Sequence, residues 1–578
     1  MENYSIGENI PVEIDKIFEC YPPLLRNLLF YRGIKTREEA EIFLNPDFER
    51  DTFDPFLIKD MEKAVKRILK AIKKNEKMVI YSDYDADGIP GAVILHDFFK
   101  KVGFDNFTNY IPHRNNEGYG LNVSAIEKFA DDNVKLLITV DCGITDFLEV
   151  ERASELGLDV IVTDHHLVDG GKPKAFAILN SKQDDDDYPD DMLCGAGVVF
   201  KLVQALIKKG KFDLKEGWEK WLLDMVGVST VADMVPLVKE NRVLAYFGLF
   251  VLRKSPRLGL KKLLRKIKLD QKNITEDDIG FMLAPRVNVA SRVDDPILAF
   301  NLLATCSDNE AGELAGCLDK LNTSRKALVA SVVRKAKAQL KERGGGEVVV
   351  IGNPSWNPGI LGLVASSLVE AYKKPAFVWG RDGKGEIKGS CRSDGVCDVF
   401  GLMKGVSGNV FLHTGGHKMA GGFCVSATGV HSLEEGLCEG FRLLEAKFGA
   451  AENPNPPEKA FIDKKLSLDD ITWENQRLIN KLAPFGVGNP KPLFLFEDIK
   501  IEEVSVFGKQ KNHLKLIFKN SRGNKISAIK FFADSDISDR KIKNKKLKEG
   551  NKISLVANIE KSTFGGRIEL RLRVVDLS

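Results

Sequence analysis

The sequence predicts an α/β protein with two α/β domains, the first built on a parallel sheet, joined by a long helix and followed by a small C-terminal β-barrel. Three observations predict it. Strand-like and helix-like patterns alternate from Met61 to about residue 240, at the spacing of right-handed βαβ units. Nearly everything from Asn241 to Arg343 reads helical, and residues 310–341 form one long periodic stretch suited to a connecting helix. Beyond Ile501, short β-rich runs are separated by turn residues such as Asn520-Ser521-Arg522-Gly523-Asn524 and Phe564-Gly565-Gly566. At 578 residues the chain exceeds what one hydrophobic core can hold.

In chain order, residues 1–55 read as a small helical leader that ends in Pro/Asp/Phe-rich sequence (Asn45-Pro46-Asp47, Asp54-Pro55-Phe56). Residues 56–240 form the first α/β domain. Its strands are the apolar runs 78–81, 136–140 and 160–162, and its helices include 91–102, 123–130 and 145–156. Residues 241–345 are the helical region and connecting helix. A second α/β domain, 346–450, opens on the strand Glu347-Val348-Val349-Val350-Ile351. Residues 451–460 are a linker, since Ala451-Glu452-Asn453-Pro454-Asn455-Pro456-Pro457 is too proline-rich for helix and too polar for a core. Residues 461–578 form the barrel. The acidic patch 184–187 reads as a solvated loop.

Composition excludes several classes. Hydrophobic residues at 43% and charged residues at 29% are ordinary for a globular protein, and a net charge of +3 does not mark a polyanion binder. Charge distribution says more. Residues 253–268 hold eight basic residues and no acidic one, and residues 540–573 hold eleven basic residues. Each run reads either as a solvated face or as a footprint for a phosphate backbone. Nine cysteines without a C-x-x-C pair suggest reduced thiols rather than a disulfide framework. The N-terminus lacks a signal-peptide pattern and no run of about 18 apolar residues occurs, so a cytoplasmic protein without a membrane span is expected. No assembly signal is evident, and a monomer is expected.

The chemistry concentrates in three segments: Asp83-Tyr84-Asp85-Ala86-Asp87-Gly88, Val140-Asp141-Cys142-Gly143 and Thr163-Asp164-His165-His166. Each follows a predicted strand, and open α/β folds place ligands at the carboxyl ends of their strands. A lone Asp at a strand end is more often a turn former or helix cap, and a lone His pair a satisfied one. Three in succession instead suit a metal centre. Asp85 and Asp87 lie close enough in one loop to reach one cluster. Asp141 and His165 end the next two strands. Asp233 stands among apolar neighbours in Val231-Ala232-Asp233-Met234-Val235-Pro236, where an isolated carboxylate is costly unless paired or metal-bound. Oxygen ligands with one imidazole suit Mn²⁺ or Mg²⁺, and two such cations can share a carboxylate, activate water and neutralise a leaving oxygen.

The ordered series D-x-D-x-D-G, V-D-x-G, D-H-H and Val231-Ala232-Asp233-Met234-Val235-Pro236-Leu237 resembles the DHH phosphoesterase superfamily. Within it, the chain is most similar to the RecJ family of single-strand-specific 5′→3′ exonucleases, from about Met61 to the C-terminus. The likeness takes in Leu283-Ala284-Pro285-Arg286-Val287-Asn288 with Ser291-Arg292, Asn357-Pro358-Gly359-Ile360-Leu361-Gly362, Gly389-Ser390-Cys391-Arg392-Ser393, Gly415-Gly416-His417 and Ala483-Pro484-Phe485-Gly486-Val487-Gly488-Asn489-Pro490. The resemblance implies two divalent cations, Mn²⁺ or Mg²⁺. Asp85 and Asp141 would hold one, and Asp87, Asp141, His165 and Asp233 the other, with Asp141 bridging. It implies His166 near the scissile phosphate as charge stabiliser or proton donor, with Asp83 and Asp164 supporting the ligands. Two residues depart from the pattern. Tyr81 stands where related enzymes can place a ligand histidine, which leaves the first cation partly to water. Ser291 stands where the family usually has glycine, which puts the local backbone in question.

Read alone, Gly389 to Ser393 and Gly415 to His417 offer hydroxyls, a guanidinium, an imidazole and bare N–H groups, though a Gly-Gly-His turn is usually only a turn. The resemblance makes them a substrate-binding DHHA1-type domain. It marks Arg114, Asn115, Arg286, Asn288, Arg292, Ser390, Arg392, Gly416 and His417 as contacts to a 5′-terminal phosphate or nearby backbone. The C-terminal domain resembles an OB-fold for single-stranded nucleic acid. Of its phenylalanines Phe507, Phe518, Phe531, Phe532 and Phe564, core packing is the default for most, and Phe507 and Phe564 suit stacking. The implied activity is release of mononucleotides from the 5′ end of single-stranded DNA in recombination and repair, beside single-strand-binding protein and a RecQ-type helicase. Two alternatives stay open: a phosphoesterase for short oligonucleotides or cyclic dinucleotides, and a non-catalytic DNA-binding scaffold.

Overall fold

The computed structural model describes residues 4–7, 10–114, 116–168, 170–344, 346–406, 410–448, 460–508, 511–531, 541–542, 545–562 and 568–577. The chain forms two compact units. The larger comprises Phe53–Val235 and Phe247–Pro457, and the smaller comprises Met1–Thr52, Pro236–Tyr246 and Glu458–Ser578.

The larger unit is built on a five-stranded parallel sheet: β1 (Met78–Ser82), β2 (Phe107–Tyr110), β3 (Leu136–Val140), β4 (Asp159–Thr163) and β5 (Ala177–Leu179). Val79, Leu137 and Val160 are aligned across the three central strands. β1 and β3 are buried at every position, as the unbroken runs Met-Val-Ile-Tyr-Ser and Leu-Leu-Ile-Thr-Val require of strands covered on both faces. The strand order is β2-β1-β3-β4-β5. The chain therefore leaves β1 toward one edge and returns at β3 on its other side. The loops after β1 and β3 diverge, opening the crevice where such folds bind ligands. Helices α1 (Gly88–Lys101), α2 (Gly195–Gly210) and α3 (Leu223–Ala232) bring further groups to this edge.

Beyond α4 (Ala284–Val293), the connecting helix α5 (Asp308–Arg343) runs for 36 residues, two longer at each end than its sequence pattern. It leads to a mixed sheet of β6 (Val349–Gly352), β7 (Ala376–Arg381), β8 (Ile387–Arg392), β9 (Phe411–His417) and β10 (Ala420–Val425), in the order β9-β10-β8-β7-β6. Only β6 and β7 pair in parallel there. Helix α6 (Pro358–Tyr372), capped by Asn357, is the crossover between them. Along β8, Ile387 and Cys391 enter the core, so Lys388, Ser390 and Arg392 fall on the opposite face.

The smaller unit is made from the two ends of the chain. Its seven-stranded sheet begins at Lys464–Lys465 and ends at Glu503–Phe507 in spatial order. Its core joins Phe494, Phe496, Leu514 and Phe518 with Phe18, Leu25, Leu28 and Leu29 of the N-terminal leader in one apolar cluster. The leader also lends a strand: Tyr4–Ile6 pairs in parallel with Ala460–Ile462. Most of the linker foreseen at 451–460 lies outside the described residues. Among the described residues no helix is long and apolar enough to cross a membrane.

Candidate metal centre

Three buried carboxylates and a histidine converge at the carboxyl edge of the parallel sheet. Asp83 leaves β1 with its N–H donating to the Val140 carbonyl at 3.0 Å, so the ends of β1 and β3 are tied together. Asp85 turns the loop, its Oδ1 accepting from the N–H groups of Asp87 (2.8 Å) and Gly88 (3.2 Å). Asp87 is held by three donors: Gly195 N–H and Ala196 N–H, each at 2.7 Å at the start of α2, and the Ser229 hydroxyl of α3. A helix N-terminus favours a carboxylate at that place. Asp141 adopts a left-handed backbone, φ 62°, directly after β3. Its carboxyl group lies against Gly195, where a Cβ would stand 2.7 to 2.9 Å from it, so residue 195 must be glycine for α2 to come this close.

His165 sits at the centre. Its Nε2 is 3.1 Å from Asp141 Oδ1, 3.5 Å from Asp87 Oδ2 and 3.6 Å from Asp233 Oδ2. Asp233 caps the C-terminus of α3, its N–H bonded to the Ser229 carbonyl at 2.9 Å. Asp164 is fully engaged behind the pair of histidines. It accepts from the N–H groups of Ile144 (3.0 Å), His165 (2.7 Å) and His166 (3.1 Å), and from His166 Nδ1 at 2.7 Å.

Potential ligand atoms fall into overlapping groups within 4.8 Å of one another: Asp87, His165 and Asp233; Asp83, Asp85 and Asp141; and Asp141, His165 and His166. The first lacks the Asp141 that the sequence reading put in both sets, and the second adds Asp83 to the expected Asp85 and Asp141. Divalent cations fit the donor set. Asp83 Oδ1, Asp141 Oδ1 and both ring nitrogens of His165 are buried without a hydrogen-bond partner. Burial and the crowding of Asp87, Asp85, Asp83 and Asp233 push the Asp141 carboxyl far above its usual range, and burial with Asp87 and Asp85 pushes Asp233 up to about 8. Burial lowers His165, which favours the neutral ring and leaves a nitrogen lone pair available to a metal. His166 behaves oppositely. Burial alone would lower it, but the hydrogen bond and charge of Asp164 outweigh that and raise it to about 9.

Tyr81 does not face this site. It is wholly buried, donates to the Gly120 carbonyl at 2.9 Å and stacks on Tyr110 at 5.2 Å, so it neither replaces nor blocks a ligand. Ser291 is an ordinary helical residue of α4, its hydroxyl donating to the Asn288 carbonyl at 3.2 Å, and the backbone there is regular. Sequence reasoning missed Tyr119, whose hydroxyl lies 3.2 Å from the Asp141 carbonyl and 3.3 Å from His166 Nδ1. It also missed Ser229. The signal for Ser229 was its place four residues before Asp233 on one helix, hence on the same face.

The arginines expected to hold substrate divide. Arg292 is half-buried, with Nε buried and unpartnered and Nη1 3.4 Å from the Gly359 carbonyl. Burial and the charges of Arg114, Arg325 and Arg392 press it down to about 10, while Asp85 pulls the other way. Arg114 lies over the Tyr84 ring at 5.2 Å. Arg392 lies over Gly362 of α6, where a Cβ would come 2.8 Å from its Nη2. Arg286 differs from the expectation: its guanidinium is spent on Asp319 (2.8 and 3.0 Å) and the Met282 carbonyl (2.7 Å). Asn288 Oδ1 is buried without a partner, and Ser390 is half-buried on the face of β8 that carries Arg392. Gly416 and His417 close the β9–β10 hairpin, with Gly416 opposite Gly421 and His417 Nδ1 accepting from the Met419 N–H at 3.2 Å. Asn115 lies outside the described residues.

In the smaller unit, Phe518 is core and Phe507 is exposed, as expected. Phe531 is not plain core. It is half-buried, 5.4 Å from His513, with the guanidiniums of Arg571 and Arg573 at 5.7 and 5.9 Å from its ring. Phe532 and Phe564 lie outside the described residues. In the basic run 253–268, Arg257 is sequestered between Asp97 (2.7 Å) and Asp224 (2.8 Å).

Comparison with known proteins places these features. The chain matches the family models of the DHH family, N-terminal domain, over residues 77–230, the DHHA1 domain over 345–437 and the RecJ OB domain over 462–576. It is 38% identical to the single-stranded-DNA-specific exonuclease RecJ of Bacillus subtilis over 501 residues, 86% of this chain and 62% of that one. It is 31% identical to the RecJ of Haemophilus influenzae, across 96% of this chain and 95% of that one. The structure of Thermus thermophilus RecJ in complex with Mn²⁺ superposes with a TM-score of 0.81 at 25% identity, covering 100% of this chain and 79% of that one. The chain thus spans less than two thirds of the Bacillus subtilis relative.

Proposed function

The chain belongs to the RecJ family of single-stranded-DNA-specific exonucleases, and on that premise we propose that it hydrolyses single-stranded DNA from the 5′ end, releasing mononucleotides. The observation that carries the reading is the set of buried polar atoms of Asp83, Asp141 and His165 left without hydrogen-bond partners, in a crowd of carboxyl groups that cations would neutralise.

Asp83, Asp85 and Asp141 would hold one divalent cation, and Asp87, His165 and Asp233 the other. When bound, the two cations supply charge neutralisation at phosphorus and a water activated for in-line attack. The protein does the rest. Asp87 is immobilised by α2 and Ser229, which fixes the position its carboxylate offers. His166, protonated at neutral pH and held through Nδ1 by Asp164, presents Nε2–H to the leaving oxygen and stabilises the charge that develops there. Arg114, Arg292 and Arg392, with Ser390, grip the 5′ phosphate through charge-assisted hydrogen bonds. Phe507 and Phe531, beside Arg571 and Arg573, give the C-terminal domain a stacking surface for single-stranded DNA. Single-strand-binding protein and a RecQ-type helicase supply the strand in the cell.

The test is digestion of matched single-stranded and blunt duplex DNA with Mn²⁺, each end labelled separately, beside Asp141→Ala. Early mononucleotide release from the 5′ end of single strands only, abolished by the substitution, is the expected result. Cleavage confined to dinucleotides would replace this reading with a small-substrate phosphoesterase. Binding without cleavage on every substrate and metal would replace it with a scaffold.

A further inference from the structure

Helix α5 carries a buried cation that no anion of the chain answers. Arg325 is only 9% exposed, and no hydrogen bond or ion pair joins its guanidinium to any described residue. Its Nε is buried without a partner, while its two terminal nitrogens stay open to solvent. One turn earlier on the same face stands Asn322, buried, with its Oδ1 also unbonded. Every other buried residue of α5 is apolar, from Ala311 to Leu340. Asp319, the carboxylate beside this stripe, is spent on Arg286 of α4 at 2.8 and 3.0 Å. The charge that acts on Arg325 is therefore that of Arg286, which together with burial presses its guanidinium below the usual range. A buried charge is costly unless it is paired, and an apolar side chain would fill this seam between helices at less cost. The group that offsets the cost comes from outside the chain and is an anion.

Position says which anion. Arg292 feels Arg114, Arg392 and the Asp85 of the metal centre, and it also feels Arg325. None of Arg114, Arg392 and Asp85 acts on Arg325 itself. Arg325 thus lies beyond Arg292, a step farther from the metal centre than the arginines that grip the 5′ phosphate. A ligand with one phosphate fills one of these places. A strand, with a phosphate at every nucleotide, fills both.

We infer that Arg325, with the Asn322 amide beside it, is a further phosphate site of the nuclease, taking an internal phosphodiester of the strand whose 5′ end Arg114, Arg292 and Arg392 hold. The inference deepens the nuclease reading and rests on it. Such a contact is blind to the base and gives the connecting helix a direct part in holding DNA.

The experiment is binding of oligothymidylate, with and without a 5′ phosphate, by fluorescence anisotropy over a series of salt concentrations. It is run in Ca²⁺ under conditions where no mononucleotide is released. Arg325→Met is compared with Lys320→Met, which removes an exposed cation from another face of α5. Arg325→Met is expected to raise Kd about tenfold or more for both strands, as loss of a charge-assisted bond does. The slope of log Kd on log salt should fall by about 0.7, the share of one single-strand phosphate. Its Tm should hold or rise, since an unpaired buried charge is removed, and Lys320→Met should bind as the unaltered protein does. An unchanged Kd overturns the inference, as does a loss confined to 5′-phosphorylated strands. A loss accompanied by a lower Tm overturns it too, because that marks a structural arginine. If Arg325→Met does not fold, Arg325→Gln is read by the same criteria. The nuclease reading fails separately: an unaltered protein that binds neither strand overturns that reading together with this one, whereas binding that survives Arg325→Met overturns this one alone.

Discussion

The carboxylates at the strand ends and the arginines Arg114, Arg292 and Arg392 are both like-charged groups partly or wholly withdrawn from water, yet they are held in different ways. Asp87 and Asp164 are fixed by seven hydrogen bonds between them, five from backbone N–H groups, and their positions are set by the fold itself. Arg292 has one long contact and an unpartnered Nε, and Arg114 rests on an aromatic face. The first group is a rigid cradle for point charges. The second keeps its donors open for a ligand that brings its own acceptors. A buried like-charged cluster costs free energy unless a partner of opposite sign arrives, so each group is stabilised by what it binds.

The sharpest break in that comparison is removal of the shared carboxylate. Asp141→Ala should lower the hydrolysis rate by more than about a hundredfold, beyond the loss of a merely orienting partner, and should abolish at least one Mn²⁺ site in calorimetry. Next come the arginines, where two neighbours on α4 should part company. Arg292→Met should raise KM for 5′-phosphorylated strands by about tenfold or more, from the loss of at least one charge-assisted bond. Arg286→Met should leave KM in place and instead lower Tm, because it strands Asp319. Ser229→Ala should weaken Mn²⁺ binding by about tenfold with the fold intact, since only one of the three donors to Asp87 is removed.

The smallest effect is on pH. Asp233, raised to about 8, is stabilised in its neutral form, and that stability is present at low pH and lost as pH rises through about 8. A cation replaces the proton there, so the Tm gained on adding Mn²⁺ should grow between pH 6 and 8, with proton release on binding. His166, also raised, follows the same sign. Its stabilising contribution is fully present below the ordinary histidine range and lost as pH rises through about 9, where its charge also goes, so hydrolysis should decline above that pH. A thermal-shift series and a rate profile check the two.

Much of this was legible in the sequence because the metal-site signals are local. An apolar strand that stops at Asp or His reads directly, and all three strand ends meet at one sheet edge. Asp233 was legible as a carboxylate without polar neighbours. The division between Arg286 and Arg292 was not, because both stand in the same kind of helical sequence and Asp319 is 33 residues away on α5. Phe531 reads as core in a β-rich run, and only the pairing of β-strands sets Arg571 and Arg573 beside it. The role of the leader was illegible for the same reason. Nothing in Leu25 or Leu28 says that Phe494 and Phe518 will cover them.

That last arrangement has a consequence for synthesis. The ribosome makes residues 1–52 long before the strands that complete their core, which come only after residue 458. For the time it takes to translate some four hundred residues, at the usual ~5–20 residues per second, the leader waits with Phe18, Leu25, Leu28 and Leu29 unsheltered. The middle of the chain is free to fold meanwhile. A nascent chain arrested before residue 458 should therefore display an N-terminal segment that chaperones and proteases recognise, and that segment should vanish from their reach once the C-terminal domain leaves the tunnel.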